Sequence, residues 1–482
     1  MPDDASQREP EVHLEQSSPR VARVGLISGI VLAVAAFHVG PPLGLSRDAT
    51  WVFALLAVMA TWWVTLAIDP AVTGLLPLFA LAVLGIGKPA EITAPYANDV
   101  IFLFGGGSLL AHALDRTGVS PRFASALVRL AGTSPLRVLG ALMVATTLLS
   151  AFVSNTASAA TMLPLAVALG DRALHGTTTD DGRAAAGRFA TSLLLGVAFS
   201  SSIGGALTPV GSPPNPIGVE WLAKNGVQMD FARWLRFSVP ATAVFLPIAV
   251  LVLGVWLFPT RGLTVPRAEE SQQRIDRDGW STVAIFALAV GAWVTQPLYA
   301  RSLPAMKDGT IAVGASLLLF VAPSVRREGG ILDGAAFTKV PWRVLVLFGG
   351  GLSLADAMQR TGLSASLSRV IKGAGALPSI ALLALLVSVL VFASEIASNT
   401  ALAAMAVPIV GAMAPGLGVR PETLVIPAVF AASWAFALPV GTPPNALVFA
   451  TGGVRTQDMM RAGLVLDVVA IVVIVVMARL LL

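Results

Sequence analysis

Ser150-Ala151-Phe152-Val153-Ser154-Asn155-Thr156 lies near the middle of an otherwise apolar stretch, residues 134–170. Polar side chains are costly in such surroundings, so a Ser-Asn-Thr there needs a reason. It recurs. Ser398-Asn399-Thr400 sits in a second apolar stretch, 378–414, and the two tripeptides are 244 residues apart (398 − 154). Each is followed by a proline-rich signature, Gly211-Ser212-Pro213-Pro214-Asn215 after the first and Gly441-Thr442-Pro443-Pro444-Asn445 after the second. A third landmark keeps the same register: Phe104-Gly105-Gly106-Gly107 and Phe348-Gly349-Gly350-Gly351 are also 244 apart (348 − 104). A lone Ser-Asn-Thr usually caps a helix, and a lone Pro-Pro-Asn usually makes a turn. Two copies of both, in one order and inside apolar sequence, mark a duplicated unit in which each copy carries half of a site.

The composition fixes the solvent. Of 482 residues, 12% are charged and 55% hydrophobic, with a mean hydropathy of +0.79. A soluble domain carries about 25% charged residues, and apolar runs here reach the ~20 residues that cross a bilayer. These runs do not alternate as the strands of a membrane barrel do, so the chain reads as an all-α polytopic membrane protein embedded in lipid. The absence of cysteine excludes disulfides, thiolate catalysis and Cys-ligated metals. The basic pI, about 10.1, is read as cytoplasmic loop charge and not as nucleic-acid binding.

Residues 1–20 read as a polar cytoplasmic tail with no cleavable leader. Apolar spans follow at 21–39, 50–68, 71–87 and 98–115, then a basic amphipathic surface helix at 116–133. The stretch 134–170 is long enough to enter and return, with arms too short to cross, so it predicts a re-entrant hairpin with Ser154-Asn155-Thr156 at its tip. A polar loop at 171–188 precedes a span broken at 204–216, where Pro209, Pro213, Pro214 and Pro216 cannot continue a helix. Unwound backbone at membrane depth has to face protein or a cavity. A sixth span at 237–258 and a charged linker, 259–279, close the first half. The second half repeats the pattern: spans at 280–298, 308–323 and 341–358, a surface helix at 359–377, a hairpin at 378–414 tipped by Ser398-Asn399-Thr400, a broken span at 421–451 and a last span from 461. The total is about eleven transmembrane helices, two hairpins and two broken helices. With the N-terminus cytoplasmic and the C-terminus extracytoplasmic, 20 of the 32 Lys and Arg fall inside and 12 outside, the sense favoured by the positive-inside rule. The repeats are then inverted, the first hairpin entering from the cytoplasm and the second from outside.

Broken helices at matching positions of inverted repeats point to a transporter's binding site. Free N–H groups at helix starts favour anions, and unwound carbonyls favour cations. Ser154 and Asn155 can offer oxygens to one Na⁺, with Ser150 one turn earlier and the carbonyl of Gly211 or a neighbour. Ser394 and Gly441 stand at the matching places of the second half. Thr156, Thr400, Ser212 and Thr442 can hydrogen-bond an anionic substrate. No Lys, Arg or His falls close to either tip in sequence, so a dianion needs accompanying cations. Glu395, the lone carboxylate of either hairpin's apolar stretch, can bind a proton or tune a sodium site; the plainer reading is an acceptor for backbone N–H groups. His112 is read as satisfied or solvent-facing before it is read as a relay, and the glycine runs as close helix packing before ligand contact.

On Ser150 to Pro164, Gly204 to Asn215, Ser394 to Pro408 and Ala432 to Asn445, the chain resembles the divalent anion/sodium symporter family, carriers of dicarboxylates, citrate or sulfate. That resemblance implies two Na⁺ sites, one of Ser150, Ser154, Asn155 and Gly211, the other of Ser394, Ala397, Asn399 and Gly441. It places substrate on Asn155, Thr156, Ser212, Pro213, Asn399, Thr400, Thr442 and Pro443. It further implies a homodimer in the cell (inner) membrane, with a fixed scaffold, residues 21–133 and 280–377, and a moving transport part, residues 134–258 and 378–482. The family often has Thr where Ser394 stands and Ala where Gly441 stands; Ser keeps the hydroxyl and Gly the carbonyl. The expectation is a non-enzymatic carrier that imports a divalent anion, a C4-dicarboxylate first, with Na⁺ as coupling ion by elevator-type alternating access. The alternatives are a sodium-independent exchanger or H⁺-coupled carrier on the same fold, and citrate or sulfate as cargo. A membrane enzyme lacks a dyad, a His-rich metal cluster or a nucleotide motif, and paired re-entrant tips suit occlusion better than a channel.

Overall fold

In a computed structural model the described residues, 19–266, 274–373 and 379–482, form a helical assembly. Most of the expected 1–20 tail lies outside them, as do parts of the linker and of the second surface helix. Among them the extended pairing is confined to an isolated bridge between Pro323 and Gly330. The chain opens with α1 (Pro19–Val39), α2 (Arg47–Thr65), α3 (Pro70–Thr73), α4 (Leu76–Leu84) and α5 (Pro89–Thr93). α6 (Asp99–Arg116) carries the first glycine run, and α7 (Val119–Leu130) is the surface helix, burying Ser120, Ala124 and Val128 on one face. The first hairpin is α8 (Pro135–Ser150) and α9 (Asn155–His175); the first broken span is α10 (Asp180–Gly205) and α11 (Pro214–Lys224). α12 (Phe231–Leu251) runs on as a π-helical segment, Val252–Leu257. α13 (Arg277–Tyr299) and α14 (Asp308–Val321) lead into α15 (Trp342–Arg360) and α16 (Leu363–Gly373). The second hairpin is α17 (Ser379–Ser394) and α18 (Asn399–Leu417), the second broken span α19 (Glu422–Ser433) and α20 (Pro443–Ala450), and the last helix α21 (Thr456–Leu481). From α6 to α12 and from α15 to α21 the elements correspond one to one.

Eight helices among the described residues are long and apolar enough to cross a membrane. Seven fall on the eleven expected spans, and the eighth is α18, a hairpin arm. The expected span 71–87 is instead α3 and α4, punctuated by Pro70 and Pro77 and ended at Gly85, whose φ of 69° suits a residue without a side chain. At nine residues, α4 is only about 14 Å long, too short to cross alone. The arms α9 and α18, 21 and 19 residues, are longer than the expected half-depth helices. The expected 171–188 loop shrinks to residues 176–179, because Thr179 caps α10 by accepting from Gly182 N at 3.2 Å.

The packing is reciprocal. α11, which follows the first break, packs on α18 and α19; α20, which follows the second, packs on α9 and α10. Phe104 and Phe348, equivalent in the two repeats, meet edge to face at 5.3 Å. α6 and α15 pack together there. The glycine runs on these two helices let other elements approach closely. A Cβ on Gly106 would stand 2.7 Å from Ala312 C, and one on Gly350 2.2 Å from Gly74 O. On the next face, Gly107 and Gly351 lie against Val210 and Ala404, where a Cβ would come within 3.1 and 2.9 Å. Close packing, the plainer reading of these runs, is what they do. Stacked and edge-on rings of Phe199, Phe245, Phe430, Trp434 and Phe436 seat the second break against α10 and α12, each such pair contributing about 0.5–1.5 kcal/mol beyond burial.

Candidate functional site

Each tip meets the facing break. Ser154 Oγ accepts from Ala157 N at 3.3 Å, starting α9 and fixing the turn. Ser150 Oγ, at the end of α8, has two acceptors for its one hydrogen, Asn155 Oδ1 at 2.9 Å and Ser201 O at 2.7 Å. The Asn155 amide lies over Gly205, where a Cβ would stand 2.2 Å from Asn155 Oδ1. The chain is unwound from the end of α10 to Pro213. A Cβ built on Gly211 would lie 2.6 Å from Gly205 O and 2.9 Å from both Ala151 O and Ser150 O. Three backbone carbonyls thus surround the Gly211 position, and the Asn155 amide oxygen, which accepts from the Ser150 hydroxyl, lies against Gly205. Such an all-oxygen donor set suits a hard cation and no soft one. Of the expected first ion set, Ser150, Asn155 and Gly211 are brought together, while Ser154 sits at the exposed tip. Thr156 and Pro213 are half-buried beside them, and Ser212 is buried.

The second tip repeats the cradle with different chemistry. Ser394 Oγ is turned to Val391 O at 2.7 Å and Ala431 O at 3.3 Å. A Cβ on Gly441 would lie 2.8 Å from Glu395 Oε2 and 3.3 Å from Glu395 O and Leu438 O. Ala397 is buried, and Asn399 Oδ1 is buried without a hydrogen-bond partner. Thr400 and Ser398 are half-buried at the tip, and Pro443 is exposed. Thr442 Oγ1 accepts from Asn445 N at 3.3 Å and caps α20, which leaves its own hydrogen to donate.

Glu395 takes the plainer role. Its Oε1 accepts from Phe436 N at 2.5 Å and Ala437 N at 2.8 Å, and its Oε2 from Leu438 N at 2.7 Å. These three successive N–H groups are those the second break frees. Buried Asp467 of α21 also accepts from Phe436 N, at 3.2 Å. The first break is tied by neutral groups: Trp234 Nε1 donates to Ala206 O at 3.0 Å, Ser238 Oγ to Leu207 O at 2.6 Å, and Thr208 Oγ1 to Ala151 O. The sequence reading missed three anchors. Asn215 Nδ2 donates to Gly205 O at 2.8 Å and Thr208 O at 2.7 Å; Asn445 Nδ2 donates to Leu438 O at 3.0 Å and Phe436 O at 3.4 Å. Both close the repeated signature, which was the available signal. Asp467 is the third, announced only as an acid deep in the last apolar span.

A cavity of about 700 Å³ reaches the first tip. Val153, Ser154, Ala157 and Val210 form one wall; Ser108, His112 and Arg116 of α6, with Asp333, Lys339 and Pro341, form the other. Cationic groups from far along the chain thus line the same cavity as Ser154, although none stands near the tip in sequence. Arg116 NH2 lies 3.1 Å from Asp333 Oδ2, and Arg327 bonds the same oxygen. The Arg116 guanidinium, helped by Arg327, holds the Asp333 carboxyl down at about 2. At the opposite end of this assembly Lys224 of α11 bonds both oxygens of Asp356 on α15 at 3.0 Å, and Gln359 Nε2 donates to Asn225 Oδ1 at 2.9 Å.

With this geometry in place, the comparisons fall together. The family description of citrate transporters, CitMHS, matches residues 55–426. The chain is 36% identical to a sodium-dependent dicarboxylate transporter, SdcS, of Staphylococcus saprophyticus, over 94% of this chain and 90% of that one. It is 33% identical to SdcS of Staphylococcus aureus, over 94% and 89%. Among solved structures it superimposes on the YdaH transporter of Alcanivorax borkumensis, described as having an unusual topology, with a TM-score of 0.58, 16% identity, and 89% of this chain and 98% of that one covered. That likeness speaks to the fold alone.

Proposed function

Since the chain belongs to the citrate-transporter family and, with the staphylococcal carriers, to the divalent anion/sodium symporters its motifs resemble, we propose that it imports a C4-dicarboxylate with Na⁺. The observation that carries this reading is the pair of oxygen cradles, each built where a hairpin turn meets a broken helix around a glycine, Gly211 or Gly441. Cation at the cradles and anion on Asn155, Thr156, Asn399 and Thr400 share side chains, which couples their binding. Bound Na⁺ supplies whole charges to offset a dianion, where each helix N-terminus supplies only about half of one.

We further propose an elevator motion in a homodimer of the cell membrane. In it residues 134–258 and 378–482 move as a transport part against a scaffold of 21–133 and 280–377. The mutual packing of hairpins and broken helices supports one rigid moving body. The Lys224–Asp356 pair crosses from that body to the scaffold and has to part during the motion. It lies away from the 700 Å³ cavity, an arrangement that fits a carrier open on the cavity's side and shut on the other.

The test is uptake of labelled succinate, citrate and sulfate into liposomes bearing the purified protein. Succinate uptake is expected to require a Na⁺ gradient, with a Hill coefficient for Na⁺ above one and a substrate KM that falls as Na⁺ rises. Equal uptake in choline would favour the sodium-independent exchanger. The proposed orientation, N-terminus cytoplasmic and C-terminus outside, has its own check in a chain without native cysteine. Asp181→Cys should react with an impermeant thiol reagent from the cytoplasm and Arg420→Cys from outside. Reaction of both from one side would refute the inverted repeats.

A further inference from the structure

A second cavity, of about 720 Å³, lies at the end of the first hairpin away from its tip, and no residue of either cradle lines it. Its walls come from both halves of the chain. α9 supplies Val167, Asp171 and Leu174, α10 supplies Gly187 and Arg188, and Leu257 ends the π-helical segment beside them. The facing wall is the turn between α20 and α21, with Arg455 and Asp458, and then Arg461 of α21. Gly453 seats that turn against α10, for a Cβ there would stand 2.6 Å from Leu194 Cδ1.

The surface beside the cavity is apolar: Val255 is 53% exposed, Trp256 63% and Leu464 45%. In a chain embedded in lipid such side chains face the bilayer, and an exposed Trp belongs at the level of the head groups. In the orientation proposed above, the end of α9 and the starts of α10 and α21 lie on the cytoplasmic side. The charged lining is three Arg and two Asp, a net +1 (3 − 2). Arg455 closes on Asp458, its Nε and NH2 bonding the two carboxylate oxygens at 2.7 and 3.1 Å. Arg188 spends Nε on Pro259 O at 2.8 Å, which leaves its two terminal nitrogens. Arg461 makes no hydrogen bond or ion pair among the described residues. The cleft therefore offers guanidinium donors at its rim and hydrocarbon below them.

We propose that this cleft holds one anionic glycerophospholipid of the cytoplasmic leaflet, its phosphodiester on Arg188 and Arg461 and an acyl chain along Val167, Leu174 and Leu257. Guanidinium groups pair with phosphate oxygens through two parallel bonds, and basic clefts between membrane helices on the cytoplasmic side suit anionic head groups. A single phosphodiester charge balances the net +1. A zwitterionic lipid leaves that charge uncompensated, and a small soluble anion leaves the apolar lining uncovered. The lipid touches α9 and α10 of one half and α21 of the other, so it binds the assembled halves and stabilises them by mass action. None of this depends on the cargo that the carrier moves.

The experiment follows the unfolding temperature of the purified, delipidated full chain in a neutral detergent. Phosphatidylglycerol, phosphatidylcholine of the same acyl chains, and glycerol 3-phosphate are titrated in turn, with native mass spectrometry to count bound lipid. Phosphatidylglycerol is expected to raise the unfolding temperature saturably, by about 3 °C, with one lipid retained per chain. The other two should leave it unchanged. R461Q breaks no contact among the described residues, so without lipid it should unfold as the wild type does, and it should bind phosphatidylglycerol about tenfold more weakly. G187L is the second variant. A Cβ at Gly187 meets nothing within 4 Å, and Leu is the better helix former, so the chain keeps its fold and its charges while the cleft is filled. It too should lose the lipid effect. Equal stabilisation by phosphatidylcholine would mean that the arginines select nothing, and equal stabilisation by glycerol 3-phosphate would mean a site for small anions; either overturns the proposal. So does undiminished binding of phosphatidylglycerol by R461Q or, should that variant fail to fold, by G187L.

Discussion

Asn155→Ala and Asn399→Ala each lower Na⁺-driven uptake by at least about a hundredfold while leaving the protein folded. In the proposed site each amide serves cation and anion together. A hydrogen bond to a charged partner contributes about 1.5–3 kcal/mol, so the loss of two such contacts exceeds the roughly 2.7 kcal/mol that a hundredfold represents. The folded state loses little by comparison. Asn155 bonds Ser150 Oγ, which has Ser201 O as a second acceptor. Asn399 Oδ1 has no hydrogen-bond partner to lose. Uptake by both variants, scaled to the amount of protein inserted, is the measurement. Near-normal transport by either would break the idea that one side chain links the two ligands.

The second large effect falls on stability. Glu395→Ala strips an acceptor from the N–H groups of residues 436–438, the first two buried and the third part-buried. At about 1–3 kcal/mol for each such group left unpaired, the two without another acceptor cost roughly 2–6 kcal/mol. Total stabilities of about 5–15 kcal/mol leave small margin. The neighbouring Asp467 can keep Phe436 N but reaches neither of the other two. The purified variant should show a much lowered unfolding temperature, or fail to give a monodisperse folded species. Glu395→Gln, which keeps one carbonyl oxygen, should fall between. An Ala variant that melts within a few degrees of the wild type would mean that the second break is held by its aromatic packing alone.

The parts of this molecule that could be read from sequence are those where a local rule meets an unfavourable place. Prolines 209, 213 and 214 inside apolar sequence have to end α10, and they do. A Ser-Asn-Thr deep in an apolar run marks a helix start: Ser154 caps α9 with its side chain, and Ser398 stands at the same place before α18 without a side-chain cap. Repetition then multiplied the force of both signals. Where local rules competed, the reading slipped. Residues 71–87 are apolar enough to span, but they break at Gly74-Leu75, just before the Pro77 that opens α4, and a hydropathy count cannot see a helix boundary. Thr442, quoted from sequence for its hydroxyl, also caps the buried start of α20, a role its position alone did not announce. The rest depended on distant contacts. Lys339 is 185 residues from Ser154 in sequence (339 − 154), and no spacing places its charge at that tip. Asp467 was visible as an oddity, but its partnership with Phe436 N needed the fold.

Gly107 and Gly351 present bare backbone where α6 and α15 meet the parts proposed to travel. Helices that bear side chains at a contact interlock ridge into groove, and a ridge can shift only by climbing to the next groove. In the proposed motion, any larger residue at 107 or 351 would have to climb past Val210 or Ala404, so the two bare positions lower that step. The resting places would then fall to contacts at the ends of travel, such as Lys224 with Asp356.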